Sequence, residues 1–265
     1  MTCIHELTKY IAIMRINMLN KLMYMGDVLS EAPAIALRIT LLTQLYQYIG
    51  ASGSMAGLTI AQIIWMLFIA NLVESISWYI ASVISKEVQS GSIVYALTRP
   101  YSYMWYQFAY MLGMILPSFF INVVIVSPLV FLLVGAPTCS LLTCAAGTLI
   151  MAGSIILTFL ILFCIGISAF WIEETRGLMW LYYHAHMLLG GLLIPIALLP
   201  KLLQQFVILS PFGNLFAGAT RILFAFDQQI FYQTLISQWV WIIIMWCLAV
   251  FLFKRGMRAI AAQGG

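Results

Sequence analysis

The sequence predicts an all-α polytopic membrane protein, a single domain over residues 1–265. Its expected parts are six transmembrane helices, an N-terminal interfacial helix, a short cytoplasmic helix and short extracytoplasmic re-entrant helices. Three observations predict this. Of the 265 residues, 64% are hydrophobic and 8% are charged, against roughly 25% charged in a soluble domain. No soluble fold hides so much apolar surface. The apolar residues fall into six runs, each long enough to supply the roughly 20 residues that cross a hydrocarbon core. The basic residues gather in alternate connections, as the orientation rule for membrane helices requires.

The N-terminal stretch 4–22 reads as an interfacial helix. Leu7, Ile11, Met14, Met18 and Leu22 recur at helical spacing on one face, and Glu6, Lys9, Asn17, Asn20 and Lys21 gather on the other. It is too polar to span, but its two-faced character suits a bilayer surface or an ordinary amphipathic helix against protein. The opening residues "MTCIHELTKY" lack the pattern of a cleavable signal peptide. The six spans fall near 27–49, 59–83, 106–134, 140–172, 178–199 and 232–253. The third and fourth are long enough to tilt or project. Between spans five and six, residues 200–231 are apolar but broken by Pro211 and Gly213. Two short helices dipping into the outer leaflet suit this stretch better than a seventh span.

With the N-terminus inside, cytoplasmic segments hold Lys9, Arg15, Lys21, Lys86, Arg99, Arg176, Lys254, Arg255 and Arg258. The outside holds Lys201 and Arg221, and Arg38 lies within span one. These are all 12 basic residues. The bias predicts both termini in the cytoplasm.

Few chemical engines fit this chain. No GxxxxGK[ST] occurs, so the chain has no phosphate-binding loop of its own. The five cysteines (Cys3, Cys139, Cys144, Cys164, Cys247) form no CxxC pair and read as small hydrophobes. His184 and His186 would point about 200° apart on a helix, which is not a metal pair. Glu173 and Glu174 sit beside Arg176 at a turn and read as solvated loop residues. No site for a cofactor, a metal or nucleic acid emerges.

Intramembrane charge is more informative, because burying it costs at least roughly 2.5–3.5 kcal/mol. Arg38 and Glu74 lie about 11 and 9 residues from the inner ends of their spans, which at 1.5 Å per residue is roughly 14–16 Å deep. Equal depth predicts a pair or a shared polar pocket. Asn71, Glu74, Ser75, Trp78 and Ser82 fall on one face of span two. Such a face meets another helix or lines a wet path.

The segment "SKEVQSGSIVYALTRPYSY" (85–103) interrupts the apolar runs. Lys86 and Glu87 precede Gly91, which supplies a turn, and Ser92, an N-cap for Ile93 onward. Ile93 and Leu97 share a face with Val94 beside them. Pro100 drives Arg99 out of helical geometry. The prediction is a two-turn cytoplasmic helix with an uncovered apolar face, requiring a neighbouring subunit or the membrane surface.

At this point the sequence resembles the export permeases of ABC systems of the second class (ABC-2), in particular a six-span branch. "ISKEVQSGSIVYALTRP" (84–100) is similar to the branch's acidic and basic pair, glycine and short helix ending in Arg-Pro. "AFWIEETRGLMWL" (169–181), "GGLLIPIALLPKLLQQFVILSPFGNL" (190–215) and "FKRGMRAIAAQGG" (253–265) resemble its next turn, its fifth span with outer helices, and its basic tail. Span one departs from the pattern in carrying Asp27, Glu31 and Arg38. The resemblance implies a permease of the bacterial inner membrane. Such a chain pairs with a second permease, in a homodimer or a related heterodimer. It docks a separate nucleotide-binding ATPase, which holds the ATP and Mg. Lys86, Glu87, Gly91, Ser92, Ile93, Val94, Leu97, Arg99 and Pro100 would then couple ATPase motion to transport. Spans two and five would line the path. On this reading Ile93→Asp or Leu97→Asp uncouples the ATPase while the spans still insert. The runner-up is an ion-coupled secondary transporter using Glu74 and Arg38. A membrane enzyme built on His184 and His186 is weaker, because no nucleophile, base and orienting group cluster together.

Overall fold

The structure, a computed structural model, describes residues 2–50, 54–55, 57–77, 79–137, 139–194 and 196–263. The side chains of 2–6, 54–55, 73–77, 197 and 259–263 lie outside that description. Helices α1 (Thr2–Met23) and α2 (Met25–Ile49) are followed by a hairpin of two-residue strands, β1 (Ser54–Met55) and β2 (Leu58–Thr59). Ser54 faces Thr59 and Met55 faces Leu58. Then come α3 (Ile60–Ser77), α4 (Tyr79–Gln89), α5 (Ile93–Leu97), α6 (Tyr103–Val134) and α7 (Leu141–Ile167). The chain closes with α8 (Arg176–Leu189), α9 (Lys201–Leu209), α10 (Phe216–Phe224) and α11 (Gln228–Gln263).

Among the described residues, four helical stretches are long and apolar enough to cross a bilayer: Met25–Ile49, Tyr103–Val134, Leu141–Phe170 and Gln228–Arg258. A shorter apolar stretch covers Ile60–Leu72. The expected span over 59–83 falls on α3 and α4, on either side of residue 78, which lies outside the described residues. The expected helix over 178–199 stops early. α8 has 14 residues, about 21 Å of helix. Gly190 closes it, and Gly191 turns the backbone at φ +77°, a conformation that favours glycine.

α7 is the centre of the bundle, packed by α4, α10 and α11. Its Leu157, Leu160, Phe163 and Ile167 form a core with Ile80, Ile84, Ile93 and Tyr103. A second core joins Ile39 of α2, Phe68 of α3, and Val126 and Val130 of α6. In lipid, helices associate by close packing and polar contacts, and small residues let backbones approach. Gly166 of α7 does this: a Cβ there would stand 2.7 Å from Ile84 Cβ of α4. At the far end of α7, Gln238 of α11 donates to Ile150 O, Ser154 Oγ and Asn214 O at 3.0–3.1 Å.

α1 packs on α6. A Cβ on Gly113 of α6 would stand 2.5 Å from Met14 O and 2.8 Å from Asn17 Cβ. The partly buried residues include Tyr10, Met14, Asn17, Met18, Lys21 and Leu22, so the protein side takes the later part of the apolar stripe together with polar residues. Leu7 and Ile11 from that stripe remain exposed, as do Ile16 and Leu19. The unusual polarity of α2 is explained across helices. Glu31 meets Lys21 of α1 at 3.6 Å and accepts from Asn122 of α6 at 3.3 Å.

Candidate functional site

The segment between α4 and α6 starts from an anchored helix. α4 buries Ile80, Ala81, Ile84 and Ser85. Ser85 Oγ lies 2.7 Å from Thr175 Oγ1, with both residues buried. Gln89 Nε2 donates to Glu173 O at 2.7 Å. The α7–α8 turn is therefore tied to α4 by two polar contacts. The backbone then turns at Gly91, φ +72°, the left-handed conformation the sequence called for.

α5 has five residues, shorter than the expected two turns. Ser92 stands at the N-cap, but its side chain makes no cap hydrogen bond. Its backbone is already helical, and its hydroxyl instead lies 2.8 Å from Ser90 Oγ. The largest correction is at Ile93. It was expected on the uncovered face, but it is fully buried in the core around α7. Leu97 is partly buried against the same core. The exposed apolar surface is Val94, 44% exposed, and Tyr95, 76% exposed. The reason is helical geometry: once Ile93 points inward, the residue two positions on points about 200° away. Lys86 and Arg99 are exposed beside this surface.

Glu87 faces inward as a tie. Its carboxylate accepts from Tyr103 Oη at 2.5 Å and from Gln107 Nε2 at 2.8 Å. The Tyr103 ring stacks on Phe253 of α11, centroids 5.6 Å apart and planes 1° from parallel. The exit of the segment is held by α1. Tyr10 Oη accepts from the Ser102 N–H at 3.0 Å, and Lys9 Nζ donates to Pro100 O at 3.5 Å. Thus α5 projects from a base joined to α1, α6, α11 and the α7–α8 turn. Tyr10, Tyr95 and Thr175 carry no role in the sequence pattern, and Tyr103 reads there only as an aromatic residue at the membrane interface. Once Ile93 was taken as buried, the spacing would have found Tyr95. Tyr10, Thr175 and the Glu87 contact of Tyr103 need the tertiary fold.

Of the expected intramembrane pair, only the Arg38 side chain is among those described. Arg38 Nη1 donates to Asn71 Oδ1 at 2.8 Å, and Asn71 Nδ2 donates to Leu67 O and Leu192 O. Asn71 is buried, while Arg38 as a whole is exposed. The side chains of Glu74 and Ser75, and all of Trp78, lie outside the described residues. Ser82 Oγ donates to its own helix at Tyr79 O.

His184 Nδ1 lies 2.9 Å from Trp180 O. His186 is buried between Tyr182 and Phe216. Among the described residues, no group of three or more His, Cys, Asp or Glu is placed to hold a metal.

Long apolar helices around a buried centre, with a short helix rooted at one end, define a multi-pass membrane protein. The sequence matches the family described as ABC-2 family transporter protein over residues 34–264, and the chain belongs to that family. No curated protein matches it. Membership makes it a permease-type membrane component of an ABC system, a class that works with a separate ATPase subunit.

Proposed function

We propose that this chain is the permease subunit of an ATP-driven exporter, and that segment 85–103 receives the stroke of the ATPase. The observation that carries this reading is the contrast within α5. Val94 and Tyr95 are exposed while Ile93 is buried against α7. A surface of that kind, flanked by the exposed cations Lys86 and Arg99, suits a protein partner. Force applied there passes through Glu87, Ser85 and Tyr103 into α6, α7 and α11.

The proposed assembly has two permeases, identical or related, each with an ATPase subunit that binds ATP and Mg. The chain crosses the bacterial inner membrane six times. α3 with α4 supplies the second crossing, and α8 with residues 190–199 supplies the fifth. α9 and α10 enter the outer leaflet. The basic-residue bias supports both termini on the cytoplasmic side with α5. The exposed apolar residues of α1 rest on the same membrane surface.

Reconstitution with the ATPase tests this. Transport in proteoliposomes should require ATP and stop when the ATPase's P-loop lysine is replaced. Undiminished transport on a proton gradient without ATP contradicts it.

A further inference from the structure

A cavity of about 100 Å³ lies between α3, α9, α10 and the start of α11. It is far from α5. Ile230 of α11 lines it, whereas Phe253 of the same helix stacks on Tyr103. About 23 residues separate them, or about 35 Å of helix.

The lining has two parts. Met66 and Leu67 form a buried apolar wall. The polar lining includes Arg221, partly buried, and Gln233, exposed, together with Asn214, Thr220 and Thr234. Among the described residues, no carboxylate pairs with Arg221 and no acceptor takes its hydrogen bonds. The neighbouring acid, Asp227, is engaged by the N–H groups of Gln229 and Ile230. An inorganic anion would satisfy the arginine but leave the apolar wall unfilled. A hydrocarbon would do the reverse. A cavity of roughly 150 Å³ holds a molecule the size of benzene, so this one takes a head group with its first methylenes.

We infer that this cavity binds an anionic amphiphile, with a phosphate or carboxylate head on Arg221 and Gln233 and the adjoining chain along Met66 and Leu67. Arginine presents a planar fork of donors that matches such heads. The inference extends the exporter reading by naming a ligand class for the face remote from α5.

Hexyl phosphate is the probe, titrated against the purified full chain in a neutral detergent by calorimetry. It should bind saturably, and at least about tenfold more tightly than hexanol or inorganic phosphate. Arg221→Gln should lose that advantage and Arg221→Lys should keep part of it. Ala217→Leu, which adds bulk to another lining residue, should weaken binding while thermal unfolding stays cooperative.

Two sources share this chemistry. Phospholipid retained in native mass spectra of the wild type and lost from Arg221→Gln identifies a bilayer lipid. Stimulation of ATP hydrolysis by hexyl phosphate in the assembled complex identifies cargo. No saturable binding, or equal binding by Arg221→Gln, overturns the inference. The second result would leave Arg221 as a cation placed only to suit the C-terminal end of α10. Failure of the chain to work with an ATPase would remove the exporter reading and leave this binding result standing.

Discussion

Tyr103 donates its hydroxyl hydrogen to the Glu87 carboxylate at 2.5 Å. This contact joins the end of α4 to the first turn of α6, and the same ring lies flat on Phe253 of α11. One side chain thus ties the base of the α5 projection to two long helices. Tyr103→Phe keeps the ring and removes the hydrogen bond. A hydrogen bond to a charged group contributes about 1.5–3 kcal/mol. The variant should therefore unfold at lower temperature and hydrolyse more ATP per substrate moved. Thermal melts and paired ATPase and transport rates check this. An unchanged ratio would remove Tyr103 from the coupling route.

Ser85 and Thr175 form a buried hydroxyl pair. Removing one partner strands the other, at about 1–3 kcal/mol. Ser85→Ala and Thr175→Val should each destabilise. The double variant should cost less than their sum, because neighbouring sites are not additive. A double-mutant cycle by chemical unfolding in detergent measures the coupling.

Gly113 lets α1 lie directly on α6. Gly113→Leu should push α1 away and expose its partly buried basic residues, Lys9 and Lys21. Trypsin should then cut at Lys9 and Lys21 several-fold faster, without loss of the later spans. Equal cleavage rates would show that α6 tolerates the side chain.

Asn71 links Arg38 to Leu192 O. Asn71→Leu leaves the arginine without this acceptor and should lower stability by about 1–3 kcal/mol. Arg38→Gln retains a donor and should be milder. The order of the two melting temperatures tests whether the Arg38–Asn71 contact holds α2 to α3.

The long elements were legible because their cause is local. The apolar runs at α2, α6, α7 and α11 exceed a bilayer's thickness, and Gly91 and Pro100 bracket α5 as their backbone preferences demand. The early end of α8 was also in the sequence, since Gly190 and Gly191 precede Pro195 and Pro200. What stayed hidden depends on contacts between distant segments. Depth placed Arg38 level with span two, and Asn71 on that span accepts from it; counting residues from a span's end does not single out Asn71 among the polar residues of that face. Glu31 looked out of place in span one until α1 folded back to bring Lys21 beside it. Ile93 looked exposed because α5 was considered alone, without the α7 surface that receives it.

Ile93 and Tyr95 therefore have opposite expected behaviour. Ile93→Asp places a charge in the core and should prevent a stable fold, by several kcal/mol. Tyr95→Asp should leave the fold intact and weaken ATPase docking. Melting curves and co-purification with the ATPase separate the two effects.

The most direct test is cross-linking from α5. A cysteine is placed at Tyr95 in a chain whose own five cysteines are replaced by serine, and the assembled complex is treated with a short bis-maleimide. The account predicts a product joining permease and ATPase, in a yield that changes when ATP is bound. A control cysteine at Val124, exposed on α6, should give none. Absence of the Tyr95 product from an intact, ATP-hydrolysing complex would contradict the assignment of α5 as the coupling element.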